Sequence, residues 1–207
     1  MADKNQTTVF KTVFGPDWDS LPPVMKKHYA NRAYHDDEVV VEGHLTIEAS
    51  RVGRLFFPMF RLMKTLIPRE GTDVRTTVRF VTTKDSNAFQ FDRSMTFPDG
   101  TSYRFHSRMK PASGNELVEV MDCGLGWHMA YGWNGEKVTL THLGYKFSLF
   151  GFMIPLPLTL LLGAGYAEEI PLNDDEFSMM TEIRHPLWGK IYGYSGVFRI
   201  RDEANHG

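Results

Sequence analysis

Arg93 is the side chain whose chemistry most needs an explanation. In the run Phe89-Gln-Phe-Asp-Arg-Ser-Met-Thr-Phe97, strand parity puts it on the same face as Phe89, Phe91, Met95 and Phe97. A guanidinium among apolar neighbours keeps its charge, so it needs a partner. That partner is either an internal carboxylate, with Asp122 and Glu168 as candidates, or the acidic or polar head of a bound molecule. Glu168 and Glu169 form the second feature, because they follow the uncharged run from Phe147 to Ala167. A carboxylate desolvated at an apolar edge is pushed toward useful acid–base values, which makes this pair the catalytic candidates. The plainer role is to end a buried segment and return the chain to water.

The other polar residues carry less. His106 falls on the opposite parity from Phe105, beside Arg104 and Arg108, and reads as solvated. His28 fits capping or packing at a short helix end, His185 precedes Pro186 in a turn, and Cys123 reads as a small buried apolar residue. Nucleophile-elbow, zinc-protease, paired-cysteine, P-loop and dinucleotide signatures do not occur in the chain. No metal site and no cofactor is therefore expected.

Composition narrows the partners. The chain has 207 residues and a formal charge of −2, without the basic field that nucleic-acid binders use. Its single cysteine cannot form an internal disulfide, and its first residues do not read as a charged-then-apolar leader. A cytoplasmic setting is expected, with a peripheral position at the inner membrane as the alternative. The excess lies in aromatic residues, at 13%, and in eleven methionines, which line adaptable apolar pockets as readily as they fill cores.

Several elements must position these groups. Residues 1–13 read as a loose arm, 14–201 as a folded body and 202–207 as a polar tail, all within one domain spanning 1–207. Turn signals surround Trp18, and a short N-terminal helix begins at the prolines before Val24. Residues 38–49 alternate as a half-buried strand. Ser50 then caps an amphipathic helix carrying Arg51, Arg54, Arg61 and Lys64, which Pro58 kinks or divides and Pro68 ends. Phe56 and Phe57 on that helix are the membrane-facing candidates.

Strands follow at 74–84, 89–97, 101–109, 116–123, 127–133, 137–149, 176–184 and 190–201, separated by hairpin residues such as Asn134-Gly135. The apolar parity shifts near Gly144, which predicts a bulge. In the uncharged run, Gly151, Pro155, Pro157, Gly163 and Gly165 argue against a spanning helix and for a buried strand, a Pro-Leu-Pro turn and a short apolar segment, or else an apolar lip. The fold class expected is mainly β (α+β). Its architecture is a strongly curved antiparallel sheet or incomplete barrel of about nine strands over one amphipathic helix.

The sequence resembles the bacterial domain-of-unknown-function family 4166 across nearly all of residues 14 to 200. The resemblance rests on Phe14-Gly-Pro-Asp-Trp-Asp-Ser-Leu-Pro-Pro23 with His28 after it, on Arg93 to Phe97 followed by Phe105-His-Ser107, on Pro155-Leu-Pro157 leading to Glu168-Glu169, and on His185-Pro-Leu-Trp-Gly189 before Tyr194-Ser-Gly196. Where the family usually shows a tryptophan in the third strand, this chain has Phe91. The resemblance implies domain boundaries and no activity.

The residues themselves point to a module or carrier that binds a hydrophobic, lipid-like small molecule in an apolar cavity. Arg93 would be the polar anchor, with Phe89, Phe91, Met95, Phe97, Phe105, Tyr145, Phe147 and Tyr194 as the ligand-contacting set. Two alternatives stand beside it. One is an enzyme on an apolar substrate that uses Glu168 or Glu169 with Arg93. The other is a peripheral membrane or protein-interaction domain.

Overall fold

Consecutive hairpins whose alternate side chains are apolar can bury that face by rolling the sheet onto itself. In the computed structural model, which describes residues 8–201, the strands form one antiparallel sheet. They are β1 (Glu38–Ala49), β2 (Gly71–Val81), β3 (Phe89–Thr96), β4 (Ser102–Pro111), β5 (Glu116–Met121), β6 (Leu125–Trp133), β7 (Val138–Leu149), β8 (Phe152–Leu156), β9 (Ala164–Pro171), β10 (Glu176–His185) and β11 (Gly189–Ile200). The order is β6-β5-β4-β3-β2-β1-β11-β10-β9-β7, and β7 pairs back onto β6, so ten strands close a barrel. β8 lies outside the ring, paired to the far half of β7.

The expected strongly curved sheet or incomplete barrel of about nine strands is thus a closed barrel of ten with one strand appended. The anticipated bulge is present: His128 pairs with Gly144 and Met129 with His142, leaving Leu143 as the extra residue. One seam interrupts the wall. The β7–β9 ladder covers only Val138 to Thr141, and beyond it β7 pairs with β8 instead. The strap of β8 and helix α5 (Thr159–Leu162) runs along that seam.

Each end of the barrel has its own cover. At one end sit α1 (Val9–Phe14), a 3-10 turn (Gly15–Ser20) and α2 (Pro23–His28). Residues 8–13 are therefore not a loose arm. Val9, Phe10, Val13 and Phe14 are buried, and the Phe10 ring lies 5.1 Å from Phe89 and 5.3 Å from Tyr131. Thr8 caps this helix by accepting from the Lys11 amide at 3.1 Å, an N-cap hidden in what read as a polar stretch. The rest of the proposed arm and the polar tail lie outside the described residues.

At the other end the amphipathic segment is two short helices, α3 (Arg51–Leu55) and α4 (Phe57–Met63), rather than one. Ser50 accepts from the Gly53 amide at 3.1 Å, as its cap role predicts. Pro58 stands in the first turn of α4, where a missing amide costs nothing. A Cβ on Gly53 would come within 1.9 Å of the Ile191 carbonyl, so glycine lets α3 press onto β11. Among the described residues, no helix is long and apolar enough to cross a membrane.

The barrel wall has an apolar inside and a polar outside. On β3, Phe89, Phe91, Arg93 and Met95 face in, while Gln90, Asp92 and Thr96 face out. Neighbouring strands put Arg79, Arg104, His106, Arg108 and Arg199 on the outer surface. That charged exterior is the reverse of the apolar band of a membrane-spanning barrel.

Candidate ligand site inside the barrel

Two chambers of about 100 Å³ each lie within the ring. The first lies toward the N-terminal helices and is walled by Phe10, Val41, Phe80, Phe89, Phe91, Met95, Met109, Tyr131, Phe177 and Phe198. The second lies under α4 and the strap, among Phe56, Met59, Phe60, Leu66, Leu125, Tyr145, Leu162, Gly165 and Ile191. Arg93, Phe105, Glu119, Trp127, Thr181 and Tyr194 border both. These six residues form a mixed polar and aromatic layer across the barrel interior.

Arg93 holds the centre of that layer. Its Nη2 donates to Glu119 Oε1 at 2.6 Å and its Nη1 to Ser107 Oγ at 2.9 Å, while the Ser107 hydroxyl donates to the same Glu119 oxygen at 2.6 Å. The guanidinium carbon also stands 4.9 Å from the centre of the Phe91 ring and 5.0 Å from that of Phe105. Glu119 is buried, with its side chain 8% exposed, and Arg93 is largely so, at 15%. These bonds use two of the five guanidinium donors, which leaves N–H groups at the chamber wall for an acceptor.

The carboxylate beside Arg93 is neither Asp122 nor Glu168. Asp122 pairs outside the barrel with His106 at 2.8 Å. Glu168 faces outward from β9 and accepts from Lys137 at 2.6 Å and from Tyr166 at 2.8 Å. The Lys137 ammonium beside it holds its carboxyl below the usual range, the opposite of what an acid catalyst would need. Acid–base chemistry pairing Glu168 with Arg93 is therefore removed.

Glu169 faces inward and lines the first chamber. Tyr29 donates its hydroxyl to Glu169 Oε2, and His28 Nε2 lies 3.5 Å from Glu169 Oε1. Burial, followed by the Glu169 charge, pushes the Tyr29 hydroxyl well above its ordinary value, so it stays a donor at all working pH. His28 packs against Phe80 and Phe177, and its Nδ1 is buried without a partner among the described residues. The side-chain oxygen of Asn31, on the same chamber, is likewise unpartnered. On the second chamber the Thr65 hydroxyl is in the same state.

Trp127 and His142 couple the layer to the strap. The Trp127 indole N–H donates to His142 Nδ1 at 2.9 Å, and because indole is a donor only, that imidazole nitrogen carries the lone pair. His142 Nε2 then donates to Thr159 Oγ1 at 3.0 Å, at the start of α5. A Cβ on Gly165 would meet the Trp127 ring at 2.9 Å, so the missing side chain is what lets the indole lie against β9. Tyr145 donates to the Gly163 carbonyl at 2.9 Å and is raised to about 12 by burial.

The sequence-derived ligand set divides. Phe89, Phe91, Arg93, Met95, Phe105 and Tyr194 border the first chamber, and Arg93, Phe105, Tyr145 and Tyr194 the second. Phe97 instead packs under Arg69, 4.3 Å from its guanidinium carbon, and Phe147 packs near Gly124. Phe56 lines the second chamber and Phe57 packs toward Phe60, so neither leads a membrane-facing surface. His106 is exposed as expected, whereas Cys123 is only half-buried.

Sequence reasoning missed Glu119, Ser107, Trp127, Thr181 and Tyr29; it named Glu169 and His28, and the structure adds that Tyr29 joins them. One signal for Glu119 was available: it sits at core parity between Leu117 and Met121 on β5. Among the described residues, no three His, Cys, Asp or Glu side chains converge as a metal site.

A family model described as "Domain of unknown function (DUF4166)" matches residues 21–198. No curated protein matches the chain. Among solved structures, the chain is similar to the one titled "Crystal Structure of Rv2717c from M. tuberculosis", at 13% identity and a TM-score of 0.46, covering 91% of this chain and 99% of that one.

Proposed function

The chain belongs to the DUF4166 family, whose description assigns no activity, and on the geometry of its interior we propose that it is a binding module for a hydrophobic small molecule. The observation that carries this reading is the pair of apolar chambers on either side of the buried Arg93–Glu119–Ser107 layer. Apolar contacts supply the affinity, at about 25 cal/mol per Å² buried, and polar groups fix the orientation. The three unused Arg93 donors take an acceptor such as a carbonyl or carboxylate. His28 Nδ1 and Asn31 Oδ1 take a donor at the far end of the first chamber.

Chamber size restricts the ligand. Each chamber is on the scale of a cavity that holds benzene, about 150 Å³, and is smaller than the roughly 300–1,000 Å³ of drug-sized pockets. A slender, lipid-like molecule threading both chambers past Arg93 fits this division, and a bulky polycyclic one does not. The seam between β7 and β9, closed by the strap, is the entry that requires the fewest broken strand pairs.

Titration with a fluorescent fatty acid tests the reading, using Ala167→Leu as the control. Ala167 is buried on the first chamber, so leucine there fills existing space. The wild type binds the probe. The variant binds at least about tenfold more weakly, yet keeps its stability to within about 1 kcal/mol, because the added atoms occupy a void. A wild type that ignores the probe, or a variant that binds equally well, would falsify the proposal.

A further inference from the structure

The two ends of the barrel differ in what they show to solvent. Of the fifteen large apolar side chains exposed among the described residues, ten stand on connections at the strap end. Four are on the β7–β8 hairpin, two on α5, two in the β10–β11 turn and two on α3 and α4. Such a concentration exceeds the scattered apolar residues normal for a protein surface.

Phe150 is the most telling of them. It is 91% exposed at the tip of the hairpin and has φ of 48°, followed by Gly151 at 85°. A two-residue hairpin with both φ values positive favours Asn-Gly or Gly-Gly, and an aromatic side chain there costs stability. Phe150 recovers none of that cost by packing within the molecule. Its use therefore lies outside the molecule.

Charge indicates the partner. Connections at the strap end carry Arg51, Arg54, Arg61, Lys64 and Arg69 against Glu70, Asp99 and Asp122. Arg54 pairs with Glu70, Arg69 with Asp99 and His106 with Asp122, so Arg51, Arg61 and Lys64 remain without an ion-pair partner among the described residues. Connections at the opposite end, at 8–37, 82–88, 112–115, 134–137 and 172–175, hold eight acidic residues against six basic ones. An apolar rim with surplus cations beside it matches an anionic bilayer surface, where aromatic and leucine side chains enter the headgroup boundary and cations meet the headgroups.

We propose that the strap end is a membrane-docking rim, with Phe150, Phe152, Leu160 and Trp188 entering an anionic lipid surface and Arg51, Arg61 and Lys64 binding its headgroups. The second chamber lies directly beneath this rim, under Phe56, Met59 and Leu162. Docking stands independently of the cavity, since its residues are exposed and none of the seven borders a chamber. The Ala167→Leu protein should therefore still bind vesicles.

Flotation with vesicles of phosphatidylcholine alone, or mixed with phosphatidylglycerol, tests the proposal. The wild type floats with the mixed vesicles and far less with neutral ones. Phe150→Asn combined with Phe152→Ser weakens flotation at least about tenfold, while thermal stability holds or rises, because asparagine suits the left-handed turn. Reversing Arg51, Arg61 and Lys64 to glutamate costs about fivefold or more per position on mixed vesicles. Absence of flotation on mixed vesicles overturns the proposal, as does a Phe150/Phe152 variant that floats like the wild type. A dimer that the same variant disperses, without vesicle binding, would reassign the rim to self-association and overturn it too.

Discussion

At the scale of single residues, the Arg93–Glu119 pair decides whether the interior is a site or only a core. Breaking a buried pair by removing one partner strands a charge, at a cost of about 3–5 kcal/mol, whereas replacing both by apolar residues is often neutral. Glu119→Ala is therefore expected to lower the free energy of unfolding by about 3–5 kcal/mol in denaturant titration. The double change Arg93→Met with Glu119→Leu is expected to restore most of that loss while abolishing the preference for ligands bearing a carboxylate. A double variant that binds such ligands like the wild type would leave Arg93 a purely structural group. Arg93 itself was legible because alternation alone places it among phenylalanines. Its partner was only half legible, because parity puts Glu119 on the core side of β5 but does not show that β5 lies beside β4 and so within reach of Arg93 on β3.

At the scale of elements, the strap and β9 are where pattern reading failed. Nine strands were found from alternation and from the turn residues that bound them. In β9 the inward residues are Gly165, Ala167 and Glu169 and the outward ones are Tyr166, Glu168 and Ile170, so the usual pattern is inverted. Small inward residues make room for Trp127 and for the first chamber, and the inversion is itself a mark of the cavity. The uncharged run was read as a buried strand, turn and short segment or else as an apolar lip, and β8 and α5 expose Phe152, Ile154, Leu160 and Leu161 as the second of these describes. Of the two outcomes expected at Pro58, a kink or a division, the helix divides, because Pro58 stands in the first turn of α4.

The strap also carries a pH dependence. Burial, and then the nearby His128, hold the His142 imidazole below its ordinary value. An imidazole that resists protonation only when folded stabilises the protein fully above the unfolded value of about 6.5. That contribution is lost as pH falls below 6.5, because the unfolded chain takes up the proton first. Protonation also removes the acceptor for the Trp127 indole. Stability measured in denaturant should therefore fall between pH 7.5 and pH 5.5, with a change in tryptophan fluorescence. His142→Gln should reduce both effects, and an unchanged pH profile in that variant would remove His142 as their source.

At the scale of the whole molecule, closure of ten strands turns a surface pattern into an enclosed volume. Ring closure leaves no open edge at β6, and the N-terminal helices and α3–α4 cover the two ends. The family resemblance began at Phe14 and so left out most of α1, alternation gave the β class, and neither could count the free volume left once side chains from opposite walls meet. That volume is the difference between a filled core and a binding barrel.

Native mass spectrometry of the protein purified from cells, compared with its denatured mass, measures that difference most directly. The account predicts a released hydrophobic adduct in the wild type, or its uptake on incubation with lipid vesicles, and no adduct in Ala167→Leu. A wild type whose native and denatured masses agree before and after exposure to lipid would contradict it.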